Sequence, residues 1–182
     1  IDIRIGKSLD INQTKTRILI YEDLVKYWFL QVAKYLTNFV GQKFVIDDEE
    51  FDPNEAGFVI LQIATSYIEG KQQYITGCSS QNHSKSVFID GVKDVFKISK
   101  EEAEDFYGQV RCGLFHDGMT RKRVWLNDDD FGPLEFTDNS IKISPSKFLR
   151  VIEKDFSNYI NKLKEGKDKE SINNFNNMWI QK

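Results

Sequence analysis

Histidine, cysteine and proline are all scarce in this 182-residue chain, at two, two and three copies. With so few prolines, little interrupts helix formation, because proline removes a backbone donor and clashes with the preceding turn. Cys78 and Cys112 lie far apart, with no CxxC and no Cys/His pairing at zinc spacing. Neither a disulfide framework nor a structural zinc is therefore expected. Both cysteines read as reduced thiols of a cytoplasmic protein. No apolar run reaches the roughly 18 to 20 residues that span a bilayer. No signal-peptide pattern opens the chain, and Ile1 stands where a natural chain begins with Met, so residues missing before it are expected. Positive charge is not in excess either: the net charge is −3 and the pI about 5.5. That argues against a surface that grips nucleic acid everywhere, but leaves room for a local basic patch.

What is present suits one domain over residues 1–182. Hydrophobic residues make up 40% and charged ones 29%, enough of each for a real core and a wet surface. Apolar residues recur at helical spacing from about Thr16 to Val40: Tyr21, Leu24, Val25, Trp28, Phe29, Val32, Leu36 and Phe39. This predicts one long amphipathic helix with a single buried face. Residues 1 to 15 show no firm period. The stretch DDEEFDPNEAG reads as an acidic loop, with Pro53 and Asn54 as turn chemistry. Residues 58 to 75 are apolar almost all round, as in a central bundle helix. The exception is one polar stripe of Gln62, Ser66, Glu69 and Gln73, which share a face. The plain reading of that stripe is a solvent-facing seam; the sharper one puts Glu69 against a polar site between helices.

His83 sits in a polar loop and reads as a surface residue. Val87, Phe88, Val92, Val95 and Phe96 mark a short helix. Ser99 and Glu102 then form an S-x-x-E capping box, so the next helix starts at Lys100. Its apolar face is Ala103, Phe106, Tyr107, Val110 and Leu114, and it ends near Gly118. Beyond it the period changes to alternation, with Asp138-Asn139 as a hairpin turn signal. A β-hairpin or three-stranded flap inserted at about 121–143 is expected. NDDDFG lacks the order of a calcium loop, so no metal is expected there. Ser144-Pro145 opens a further amphipathic helix that Gly166 stops, and Ile172, Phe175, Met178 and Trp179 mark a last short one.

The chemistry concentrates in VRCGLFHDGMTRKR, residues 110 to 123. Arg111 and His116 are five apart, which is about 140° around a straight α-helix, so a rigid helix does not put them on one face. A helix end near His116, loosened by Gly113 and Gly118, brings them closer. The small residues Gly108, Cys112 and Gly113 leave room for another backbone, such as a helix of a second copy. Arg121, Lys122 and Arg123 add the densest basic cluster in the chain. Arginine forks onto phosphate oxygens and histidine moves protons near neutral pH, so the group suits a phosphodiester.

The R-x4-H of RCGLFH, late in a helix of a mainly helical domain, resembles the signature of the HEPN superfamily. GLFHDGMT is similar to the form seen in a subgroup of bacterial HEPN proteins. The resemblance covers the domain in outline and is strong in residues only from about 107 to 120. It implies a HEPN-like helical bundle with the small β-insert. It also implies a metal-independent, cofactor-free ribonuclease whose site forms at a homodimer interface. Arg111 and His116 would be catalytic, with Glu69, Cys112 and Asp117 in support. Glu69 would orient His116, and Arg121, Lys122 and Arg123 would hold the RNA. A role in toxin–antitoxin or antiphage defence follows, with an antitoxin as a further partner. The residue after the arginine is Cys112, where many active members carry Asn or Asp. Two other expectations therefore stand beside the first: a HEPN-like RNA-, nucleotide- or protein-binding module without catalysis, and an unrelated helical interaction domain. Cys112 itself reads as a packed thiol rather than a nucleophile.

Overall fold

The computed structural model describes residues 10–40, 44–51, 55–121, 123–128 and 130–181. Helix α1 (Thr14–Val25) runs on through a π turn (Lys26–Leu30) into α2 (Gln31–Leu36) and a 3-10 turn (Thr37–Phe39). Core-facing side chains step along it as Ile18, Tyr21 and Val25, then Leu30, Ala33 and Leu36. The single five-residue step falls on the π turn, whose i→i+5 bonding takes up one extra residue. That step overturns the expectation of one continuous apolar face. Leu24, Trp28, Phe29 and Val32, all predicted inward, are exposed.

A short hairpin follows where a loop was expected. β1 (Phe44–Ile46) pairs antiparallel with β2 (Glu49–Phe51). The two residues between them, Asp47 and Asp48, both have positive φ, 50° and 67°. That is the geometry of a tight hairpin turn matched to strand twist, and Asp tolerates it better than most residues. Pro53 and Asn54 lie outside the described residues.

Helix α3 (Glu55–Thr76) is the centre of the bundle and packs against α2, α4 (Ser84–Phe96), α6 (Pro145–Glu165) and α7 (Lys169–Gln181). Ile60, Leu61, Ala64 and Ile68 are fully buried on it. Gly91 lets α4 approach: a Cβ there would lie 2.9 Å from Ile68 Cγ2. Lys71 is only 2% exposed, yet it is satisfied. Its Nζ donates to both carboxylate oxygens of Asp155 on α6, at 2.8 and 2.7 Å, and the Tyr67 hydroxyl donates to the same carboxylate at 2.9 Å. A buried charge held this way costs desolvation and makes each partner hard to remove singly.

Helix α5 (Lys100–Phe106) begins at the predicted capping box, with Ser99 Oγ accepting from the Glu102 amide and the Glu102 carboxylate accepting from the Ser99 amide. Ala103, Phe106, Val110 and Leu114 are buried, and the Phe106 and Phe148 rings stack 5.8 Å apart. The helix continues as two π turns, Tyr107–Arg111 and Gly113–Asp117, and stops at Gly118 with φ 75°.

Strands β3 (Val124–Leu126), β4 (Leu134–Phe136) and β5 (Ile141–Ile143) form a sheet in the order β3-β5-β4, parallel on one side and antiparallel on the other. It is not a loose flap, because Ile141 and Ile143 are wholly buried. The expected N-cap at Ser144 with Pro145 next is present, and Asp128 of the acidic loop reinforces it, accepting from the Ser146 amide at 3.1 Å and from the Ser144 and Ser146 hydroxyls. Gly166 ends α6 in the left-handed conformation. The fold is mainly helical with one small three-stranded sheet, and no helix among the described residues is long and apolar enough to cross a membrane.

Candidate active site

Arg111 ends the first of the two π turns beyond α5. Its side chain turns inward, and Nη2 donates to Glu69 Oε2 of α3 at 3.1 Å. The two side chains are 15% and 16% exposed, so the pair is largely shielded from water. The guanidinium lies 4.7 Å from the Phe115 ring centre and 5.7 Å from that of Tyr107. Aromatic faces carry negative charge density and hold a cation there. Arg111 Nε is buried and finds no hydrogen-bond partner among the described residues. The arginine is thus held by one carboxylate and two rings, with donor capacity left over.

His116 lies within the second π turn and is exposed. Its side chain forms no hydrogen bond or ion pair among the described residues. The i→i+5 winding narrows the angle of about 140° that a regular α-helix sets between residues 111 and 116. The pair still differs in environment: the arginine is packed inward and the histidine is in solvent. Glu69, expected beside the histidine, meets the arginine instead.

Cys112 is half-buried beside the Tyr107 phenol. Burial first, and then the neighbouring Cys112, raise the Tyr107 pKa above its ordinary value, while Arg111 opposes the shift. A neutral phenol is the form this pocket favours. The Lys85 ammonium sits 5.9 Å from the same ring, which ties the start of α4 to the site.

The basic cluster is less open than the sequence suggests. Arg121 Nε donates to Asp117 at 3.3 Å, so Asp117 faces the arginine four residues on. Arg123 lies 3.6 Å from Asp105 and donates to the carbonyls of Asp138 and Asn139. Lys122 lies outside the described residues. Both described arginines therefore have a carboxylate neighbour, though each remains half-exposed.

Gly113 has a role the sequence placed elsewhere. The backbone that approaches it is the chain's own return segment: a Cβ on Gly113 would lie 2.5 Å from the Met119 carbonyl oxygen and 3.2 Å from the Arg121 nitrogen. Arg121 N–H donates to the Gln109 carbonyl at 3.0 Å, which pins that segment along the π turns. Gly108 is open, with nothing near its Cβ position. Sequence reasoning missed Phe115 as the lid over Arg111. Its spacing four beyond the arginine on a helix was the available signal.

Among the described residues no group of three or more His, Cys, Asp or Glu side chains is disposed to hold a metal ion. Comparison with family models, with characterised proteins and with solved structures finds no match.

Proposed function

We propose that the chain is a HEPN-type, metal-independent endoribonuclease of the cytoplasm, with Arg111 and His116 as its catalytic pair and the working site composed from two copies. The observation that carries the reading is the arginine itself. It is fixed by Glu69, stacked by Phe115 and Tyr107, and followed one i→i+5 turn later by an exposed histidine. A pre-oriented cation and an exposed proton carrier on the same helix end are the two groups that phosphodiester cleavage by an internal nucleophile uses.

In that chemistry the ribose 2′-oxygen attacks the adjacent phosphorus. His116 takes the 2′-hydroxyl proton, the new P–O2′ bond forms and the P–O5′ bond breaks. The leaving 5′-oxygen takes a proton from His116 of the second copy. Arg111 faces the charge that grows on the non-bridging oxygens, and the products are a 2′,3′-cyclic phosphate and a 5′-hydroxyl. Only RNA carries the required nucleophile. Arg121, Lys122 and Arg123 supply backbone contacts further along the strand. The resemblance also places such an activity in toxin–antitoxin or antiphage defence, with an antitoxin as partner.

The test is incubation of labelled RNA in EDTA with the wild type, His116→Ala and Arg111→Ala. Cleavage that survives EDTA and is lost in both variants is expected. Cleavage unchanged by either substitution would sink the reading.

A second reading has its own observation. Arg111 is already engaged by a carboxylate, and Arg121 and Arg123 each have one nearby. A HEPN-like module that binds RNA, a nucleotide or a protein without cutting fits that neutralised surface. RNA retained on the protein but recovered intact is its signature.

A further inference from the structure

Between Val59 and Trp125 the described residues expose only two large hydrophobic side chains, Phe115 at 41% and Met119 at 58%. They bracket His116 in the sequence. Both sit at one helix end. Phe115 lies within the second π turn, and Met119 belongs to the return segment whose backbone lies against Gly113. One face of the Phe115 ring is taken, because the Arg111 guanidinium lies over it, 4.7 Å from the ring centre. The exposed part of the ring is therefore its other face and edge, one residue before the exposed His116. Water gains nothing from an uncovered ring face, whereas a nucleobase laid on it is stabilised by stacking and apolar burial.

Charge alone gives this surface a weak hold on RNA. The chain carries a net charge of −3, and Arg111, Arg121 and Arg123 each have a carboxylate neighbour. Phosphate contacts draw their affinity from counterion release, which needs cations that are not already neutralised. A stacked base supplies affinity that salt does not screen. It also tolerates any sequence, since every base has a π face.

We propose that Phe115 is a nucleobase-stacking platform and that the site takes single-stranded RNA, with one unpaired base on the outer face of the ring. Inside a duplex both faces of a base are covered by its neighbours, so paired RNA cannot use the platform. The soft, polarizable Met119 side chain adds an apolar contact at the same helix end. The choice of RNA rests on the ribonuclease reading; the strand state and the residue that grips a base go beyond it.

Fluorescence anisotropy with a labelled RNA strand carrying 2′-O-methyl riboses throughout tests the platform, because such a strand has no 2′-hydroxyl to attack and stays intact. Phe115→Leu keeps apolar bulk over Arg111 without a ring, and Phe115→Trp keeps a ring. Phe115→Leu should bind about 5- to 150-fold more weakly, the range that one base–aromatic stack gives, while Phe115→Trp holds wild-type affinity. The deficit should be equal at about 50 and about 200 mM salt, because only the phosphate contacts are screened. A strand of abasic sites, and the RNA strand annealed into a duplex, should each bind wild type and Phe115→Leu alike. Phe115→Leu binding the single strand as tightly as wild type overturns the platform. So does the same deficit on the abasic strand, or a wild type that prefers the duplex or binds no RNA. The stacking pattern together with an unmodified strand left uncut in EDTA removes the ribonuclease reading alone. An unmodified strand that is cut, with Phe115→Leu binding as wild type, removes the platform alone.

Discussion

Arg111 and Glu69, 42 positions apart in sequence, meet at 3.1 Å between α3 and the π turns beyond α5, under the ring of Phe115. The contact makes the arginine a fixed part of the bundle rather than a mobile surface cation. It also sets a condition on function, since a phosphate must share the guanidinium with the carboxylate or displace it.

Glu69→Ala should lower stability by about 1–3 kcal/mol, the cost of leaving a shielded charged donor without its acceptor. Glu69→Gln keeps an oxygen for Nη2 and should lose less. Urea unfolding followed by circular dichroism ranks the two. Arg111→Lys should preserve the fold and abolish cleavage, because an ammonium does not reproduce the planar fork.

Gly113→Ala places a methyl group where the Met119 carbonyl stands, and backbone cannot swing aside as a side-chain tip can. Roughly 1–3 kcal/mol of destabilisation is expected. Faster proteolysis between residues 118 and 123 would show that the return segment has come loose.

Asp155→Ala takes both hydrogen bonds from the buried Lys71 ammonium, leaves it only Asp94 at 3.8 Å, and should cost about 3 kcal/mol. Lys71→Met removes the buried charge itself, leaves Asp155 the Tyr67 hydroxyl, and should cost less. Denaturation midpoints in the reverse order would contradict the account of this pair.

Asp168 caps α7, accepting from the Ser171 amide and hydroxyl and facing Lys162 at 2.8 Å. The Lys162 hydrogen bond first, then the Ser171 backbone amide, hold its carboxyl well below the usual range. Its stabilising contribution is therefore present above the ordinary carboxylate pKa and is lost as pH falls through the depressed value. Asp168→Asn should flatten that acid limb of the stability curve while leaving stability at strongly acid pH unchanged.

Much of the fold was legible because local chemistry agrees with the tertiary outcome. Ser99 with Glu102, and Ser144 with Pro145, mark helix starts by hydrogen bonds made within four residues. The α6 face was readable from its period alone. The π turns were not. Periodicity assumes 3.6 residues per turn, and one inserted residue at Lys26–Leu30 rotates every later side chain. Trp28, Phe29 and Val32 therefore read as core and stand in solvent. At the site, R-x4-H was visible as a spacing, and the Glu69 stripe was visible as a face. Their meeting was not, because it depends on how α3 lies against the π turns beyond α5. Gly113 was legible as a close approach, but sequence gives no sign of whose backbone makes it.

End-group analysis of RNA fragments tests the central claim most directly. Wild-type protein incubated with RNA in EDTA should yield fragments ending in 2′,3′-cyclic phosphate, each matched by a 5′-hydroxyl, and a strand with a single 2′-deoxy residue should resist cleavage at that position. Fragments bearing 3′-hydroxyl and 5′-phosphate ends, or cleavage that proceeds at the 2′-deoxy position, would contradict internal attack guided by Arg111 and His116.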